Sequence, residues 1–409
     1  MNERKCRGKR KERGFFYFFS EKNASVLSLQ NQDSNRIIAL DVARGLAVIG
    51  MYIQHFALNN FNGFVSGNTM ILFMLCSGIS YSIMAKSMMT RKIEPAVIRT
   101  RILARSIFID LVGYILIMLN GQFAVVLPSY AMLFILALLL INCSTKRLFA
   151  ISFVLFIISS PIMIIGLSLF SNTAILYDIA GGPLSAIAWS PVFVVGMIIG
   201  RFNLKNKHIA KLLIILGAII TIPIKLIALF ILPNVRSVFE VWLAQLYSGN
   251  NSQIDAFAAW PLNTIPPQWQ MLFVDGPQSG SIFELLIGTG GSLIILGLLC
   301  LLSNKIMTIF KPFSNVGRTS LTLYTIQFII IWILGLIGID VTSIDIGSIP
   351  FADIFIGLLV LVLGCLLAKM PNGPIEYLIK NFENIFIYNE AIDKETFSIK
   401  KSEPFVKDN

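Results

Sequence analysis

The sequence predicts an all-α protein: a polytopic membrane helical bundle of about ten transmembrane helices with both termini cytoplasmic. Three observations predict it. Of the 409 residues, 56% are hydrophobic and only 13% charged, where soluble domains carry roughly 25% charge; the mean hydropathy is +0.76. Apolar runs close to the length that crosses a bilayer's hydrocarbon core recur along the chain. The connections between those runs alternate between basic and base-free, as the positive-inside rule demands.

Residues 1–35 read as a cytoplasmic tail. Arg4, Lys5, Arg7, Lys9, Arg10, Lys11 and Arg13 precede an aromatic run, Phe15 to Phe19. That run is too short for a signal-peptide core. A basic cluster beside aromatics suits the headgroup zone of an anionic leaflet, and a disordered tail is equally compatible with it.

The domain at 36–380 holds the spans, drawn at 37–58, 66–85, 101–119, 123–142, 148–170, 184–200, 209–232, 282–302, 319–338 and 352–369. Basic connections carry Lys86, Arg91, Lys92, Arg99, Arg101 and Arg105; Lys146 and Arg147; Arg201, Lys205, Lys207 and Lys211; and Lys305, Lys311 and Arg318. The alternate connections are nearly free of bases: 233–281 holds only Arg236, and 339–351 holds Asp340 and Asp345. Residues 381–409 are expected to form a C-terminal cytoplasmic tail.

The +11 net charge is no nucleic-acid signal, because the bases sit in short clusters between apolar runs. The five cysteines, Cys6, Cys76, Cys143, Cys300 and Cys365, have no metal-ligand spacing and form no disulfide framework. No metal site, internal repeat, phosphate loop or serine-nucleophile elbow is read.

The first span carries the most chemistry. Asp41 and Arg44 are three apart on one helical face and can pair. His55 lies eleven residues beyond Arg44, on roughly the same side and about 16 Å farther along the axis. Ionisable groups in a spanning helix are costly and usually face a bundle interior or a wet cavity. Asp41 and Arg44 also suit a purely structural lock, and His55 a place at the membrane interface.

Elsewhere, Pro223 is expected to kink the seventh span, and Lys225 to snorkel outward over about 10 Å. Asp110 is expected to partner a basic group on another helix. The 233–281 segment, with Trp242, Trp260, Trp269, Tyr247, Asp255 and Asp275, reads as an interfacial belt or as a cap over an outer cavity.

Several segments carry a resemblance. The opening RIIALDVARGLAVIGMYIQHF with ILFMLCSGISYSIM resembles the start of the heparan-α-glucosaminide N-acetyltransferase-like membrane proteins, within a wider group of multi-pass acyltransferases. LPSYAMLFILALLLI, AIAWSPVFVVGMIIGRFNL, GPQSGSIFELLIGTGGSLIILG, NVGRTSLTLYTIQFII and NGPIEYLIK resemble the bacterial YeiB-type family of unknown function.

The resemblance implies transfer of an acyl group, acetyl in the first instance, from cytosolic acyl-CoA to an envelope sugar or lipid acceptor at the plasma membrane of a bacterium. It maps the opening motif onto Asp41, Arg44, Gly45 and His55. It implies His55 as general base or acyl acceptor, an imidazole being able to trade a proton near neutral pH. Relatives commonly have a His where Gln278 stands before Ser279, and another where Gln327 stands.

The expected site is then His55, Asp41 and Arg44 for catalysis, and Arg44, Gly317 and Arg318 for CoA phosphates. Arg318 offers a forked donor, and 317–320 a helix start with free N–H groups. Gln278, Ser279, Glu284, Tyr324 and Gln327 are expected around the acceptor. Glu284 is also read as a helix N-terminal charge. Membrane lipids and the acceptor are the expected partners, nucleic acid is not, and homo-oligomerisation is left open. A transporter or flippase, or a non-catalytic envelope-assembly protein, are the alternatives.

Overall fold

The computed structural model describes residues 37–119, 123–170, 173–248, 267–339, 341 and 346–386; the N-terminal tail, Trp260, Asp255, Asp340 and Asp345 lie outside the described residues. The described residues form helices and short 3-10 turns, with no strand among them.

Every expected span coincides with a helix. These are α1 (Ile38–Phe56), α2 (Asn68–Thr90), α3 (Pro95–Met118), α4 (Leu127–Leu140), α5 (Thr145–Phe170), α7 (Ala186–Ile199), α8 (Lys207–Phe230), α10 (Ile282–Leu301), α13 (Ser320–Leu336) and α14 (Ala352–Leu367). Among the described residues, 4 helices are long and apolar enough to cross a membrane, or 5 when α12 (Lys311–Arg318) and α13 are taken as one span bent by 74°. The chain is therefore a membrane protein by its apolar helices.

Five helices were not anticipated. α6 (Ala174–Ala180) lies between the fifth and sixth expected spans, and α9 (Leu232–Ser248) opens the long connection after α8. α11 (Asn304–Ile309) and α12 precede α13. α15, residues 374–386, runs through the boundary expected at 380. These are the short or polar helices, whose apolar runs fall below spanning length.

Local chemistry sets the helix ends. Ser185, Asn206 and Ser281 stand at N-caps and accept from the backbone N–H of Ala188, His208 and Glu284, satisfying donors that have no partner inside the helix. Pro95 and Pro128 sit in the first turns of α3 and α4, where a missing N–H costs nothing.

Between helices the contact is backbone to backbone. A Cβ on Gly78 of α2 would lie 2.1 Å from the Phe193 carbonyl oxygen, and one on Gly196 of α7 would lie 2.3 Å from that of Leu75. Small residues permit this approach where the surrounding apolar phase gives helices little hydrophobic reason to associate. The outward faces of α8 and α14 present large apolar side chains, including Ile219, Leu229, Phe355 and Leu358.

Side chains tie several connections together. Arg201 donates to the Cys143 carbonyl at 2.6 Å and to Thr145 Oγ1 at 3.3 Å, joining two basic connections. Asn62 donates to Asp353 Oδ2 at 3.2 Å, and Lys225 meets Asp275 at 2.7 Å. The expected outward-reaching lysine thus ends on a carboxylate.

Candidate functional site

α1 carries the centre of the site. At one end Arg44 faces Asp41 at 3.7 Å and donates to Ser80 Oγ on α2, which itself donates to the Cys76 carbonyl at 2.7 Å. Two glycines fix this end against α12. A Cβ on Gly45 would meet the Phe313 carbonyl oxygen at 2.0 Å, and one on Gly317 would meet that of Asp41 at 1.9 Å. Gly317, expected at a cofactor phosphate, lies against the backbone of the motif aspartate.

α13 opens beside this crossing. Its first donors are occupied: Glu376 Oε1 accepts from the N–H of Leu321 at 2.8 Å and of Thr322 at 3.1 Å, and Oε2 accepts from Thr322 Oγ1 at 2.5 Å. The N–H groups expected to be free for an anion are filled by the chain's own carboxylate, supplied by α15. Arg318 reaches the Pro371 carbonyl at 3.5 Å. Arg105 and Arg101, from one of the basic connections, face Glu383 of α15 at 2.6 and 3.7 Å.

At the other end of α1, His55 meets α13. Gln327, 1% exposed, sets its amide nitrogen 2.7 Å from His55 Nδ1 and 3.1 Å from the Met51 carbonyl oxygen. The His55 ring stacks on Phe123 at 4.2 Å and meets Phe328 edge-on at 6.1 Å. Tyr52, one helical turn before His55, donates to the Leu323 carbonyl at 2.7 Å. Tyr324 accepts from the Val126 N–H at 3.1 Å, tying α13 to the start of α4. Two of the segments that carry the resemblance, the opening one on α1 and NVGRTSLTLYTIQFII on α13, converge on this contact.

The remaining candidates form a separate group. Glu284, 6% exposed, accepts from the Gln278 N–H at 2.5 Å with Oε1, and from Ser279 Oγ at 3.0 Å and the Gly280 N–H at 2.8 Å with Oε2. Gln278 holds φ at 59°, uncommon for a side-chain-bearing residue, and this conformation goes with an N–H turned onto the carboxylate. Ser160 of α5 donates to the Gly280 carbonyl at 2.7 Å. Glu284 therefore organises its own loop, and Gln278 and Ser279 spend polar groups on it.

The expectation for Asp110 is corrected. No base faces it among the described residues; its electrostatic neighbour is Asp178 of α6. Asp110 Oδ1 is buried without a hydrogen-bond partner. Tyr114 donates to Asp178 Oδ2 at 2.6 Å. Burial pushes the Asp178 carboxyl up, and the Tyr114 hydroxyl opposes that rise.

Among the described residues, no group of three or more His, Cys, Asp or Glu is placed to hold a metal ion, and Cys76, Cys143, Cys300 and Cys365 are free thiols.

Sequence reasoning missed Phe123, Ser80, Glu376 and Glu383. Glu376 lay in plain view within NGPIEYLIK, but only the fold brings it to α13.

Comparison with known proteins bears on the second half of the chain. A family described as a protein of unknown function (DUF418) matches residues 254–385; this is the YeiB-type family. The match covers Gln278, Glu284, Arg318, Gln327 and Glu376, and stops short of the α1 motif. No curated protein matches the chain.

Proposed function

We propose that the chain is an integral membrane acyltransferase moving an acyl group, acetyl in the first instance, from cytosolic acyl-CoA to a sugar or lipid acceptor of a bacterial envelope. On this reading each of the ten helical segments crosses the plasma membrane and both termini face the cytoplasm, as the alternation of basic connections implies. Arg44 and Arg318 are the residues that would hold the CoA phosphates, since guanidinium grips phosphate in a fork. With Glu376 on the N–H groups of α13, the guanidinium groups carry that task rather than the helix start. His55 touches the reacting acyl group at the far end of α1.

The observation that supports this best is the contact between His55 and Gln327. It draws two of the resembling segments to one part-buried polar point beside Phe123 and Phe328, and polar groups inside spanning helices are expensive enough to mark sites. Membranes incubated with radiolabelled acetyl-CoA provide the test. Label should enter an envelope sugar or lipid with the wild type and be lost with His55→Ala. Equal labelling by both proteins removes His55 from the chemistry and the proposal with it.

A transporter or flippase for a polar or lipid-linked substrate is the alternative favoured by one observation. The buried oxygen of Asp110 lacks a partner and faces a second carboxylate, and intramembrane carboxylates line ion and substrate paths. Substrate movement without CoA, abolished by Asp110→Asn, is the result that would select it.

A further inference from the structure

We infer that Gln327 is a positioning residue that fixes the tautomer of His55, so that His55 offers its ligand an Nε2–H donor and no lone pair. The inference rests on the site proposed above and specifies what that site does.

The geometry decides the direction of each hydrogen bond. The Met51 carbonyl can only accept, and a carbonyl oxygen has a second lone pair beyond the one used within its helix. The Gln327 atom 3.1 Å from it is therefore the amide nitrogen; the reversed amide would set oxygen against oxygen. That same nitrogen lies 2.7 Å from His55 Nδ1. An amide NH2 has two hydrogens and no acceptor capacity, so one goes to Met51 and the other to His55. Nδ1 must accept, and the ring proton then sits on Nε2, because which nitrogen is protonated follows from the bond the other one makes. Stacking on Phe123 at 4.2 Å holds the ring plane.

A histidine fixed this way is neither general base nor acyl acceptor, since its one lone pair is taken. It is an electrophile for an oxygen acceptor, here the carbonyl oxygen of the acyl group. In transfer, the acceptor's oxygen or nitrogen bonds to the acyl carbon and the carbon–sulfur bond breaks. The acceptor's proton ends on the CoA sulfur. His55 keeps its proton and hydrogen-bonds the carbonyl oxygen as negative charge grows there, the manner in which fixed donors lower such barriers.

The chain has 2 histidines, so 15N-histidine labelling of the full-length His208→Gln variant in lipid nanodiscs isolates His55. The expected spectrum has Nδ1 unprotonated and hydrogen-bonded and Nε2 carrying the proton. In Gln327→Met, of similar length but without a donor, the Nδ1 resonance should move to that of an unbonded nitrogen or share the proton between tautomers. A proton on Nδ1 in the His208→Gln parent overturns the inference, and that spectrum needs no Gln327 variant to fold. An Nδ1 resonance unmoved by Gln327→Met overturns it equally. Neither readout depends on turnover: an Nε2–H tautomer in a protein that labels nothing refutes acyl transfer and leaves the assignment standing.

Discussion

Glu376 and Thr322 grip each other at both ends of the carboxylate: Oε1 takes the Thr322 backbone N–H at 3.1 Å while Oε2 takes its hydroxyl. The Thr322 oxygen in turn accepts from the Ile375 N–H at 3.0 Å. Removal of a side-chain cap costs about 1 kcal/mol. Glu376→Ala should therefore lower thermal stability in detergent by about that amount, and Glu376→Gln by less, because the amide oxygen still accepts. Equal melting of Glu376→Ala and wild type would mean the cap contributes nothing.

The Arg105–Glu383 pair should respond asymmetrically. Glu383 is 6% exposed at its side chain and Arg105 27%. Losing Arg105 strands a buried carboxylate with only Arg101, 3.7 Å away; losing Glu383 leaves arginines that reach water. Arg105→Met should cost about 2 kcal/mol, between the values for exposed and buried pairs, and more than Glu383→Gln. Chemical denaturation of both variants and their double mutant checks this, and the reverse order would contradict it.

The crossing of α1 and α12 should tolerate no side chain. Gly45→Ala and Gly317→Ala each push a Cβ into backbone of the partner helix, and overpacking of this kind costs about 1–3 kcal/mol. The double variant should cost less than the sum, since opening the crossing once relieves both contacts. Additive losses in melting experiments would show that the two glycines do not share one contact.

Asp178 should give the fold a pH dependence of definite sign. Its folded value is raised by burial. Stability from this group is fully present below its unfolded value, near 4 for an aspartate, and is lost as pH rises through the folded value. Asp178→Asn keeps an acceptor for Tyr114 and carries no charge. Relative to the variant, wild type should lose stability as pH climbs above about 4; wild-type stability that stays level or rises against the variant's over that range would oppose the assignment.

The helices were legible because long apolar runs need only length and hydropathy to be seen, and each of the ten drawn segments meets a helix. α6 and α15 were not, because their polar residues find partners across the fold, as Asp178 does with Tyr114 and Glu383 with Arg105; α9 was not, because its run is too short and polar to read as a span, its ion pair Arg236–Glu240 lying within the helix. At the site, the spacing of Asp41 and Arg44 foretold their approach at 3.7 Å, since both belong to one helix. The partner of His55 was hidden, because Gln327 is distant in sequence and brought near only by the packing of α13 on α1. Glu284 read as a ligand-binding acid for the opposite reason: its three donors come from a loop whose left-handed turn at Gln278 no spacing announces.

The position of the acyl carbonyl decides whether His55 acts as proposed. A cryo-electron microscopy structure with a ketone analogue of acetyl-CoA, a methylene replacing the sulfur, measures this directly. The expected result places the carbonyl oxygen about 2.7–3.2 Å from His55 Nε2, with Gln327 still at Nδ1 and the phosphates near Arg44 and Arg318. Density for the acyl group away from His55, or a His55 ring turned out against lipid, would contradict it.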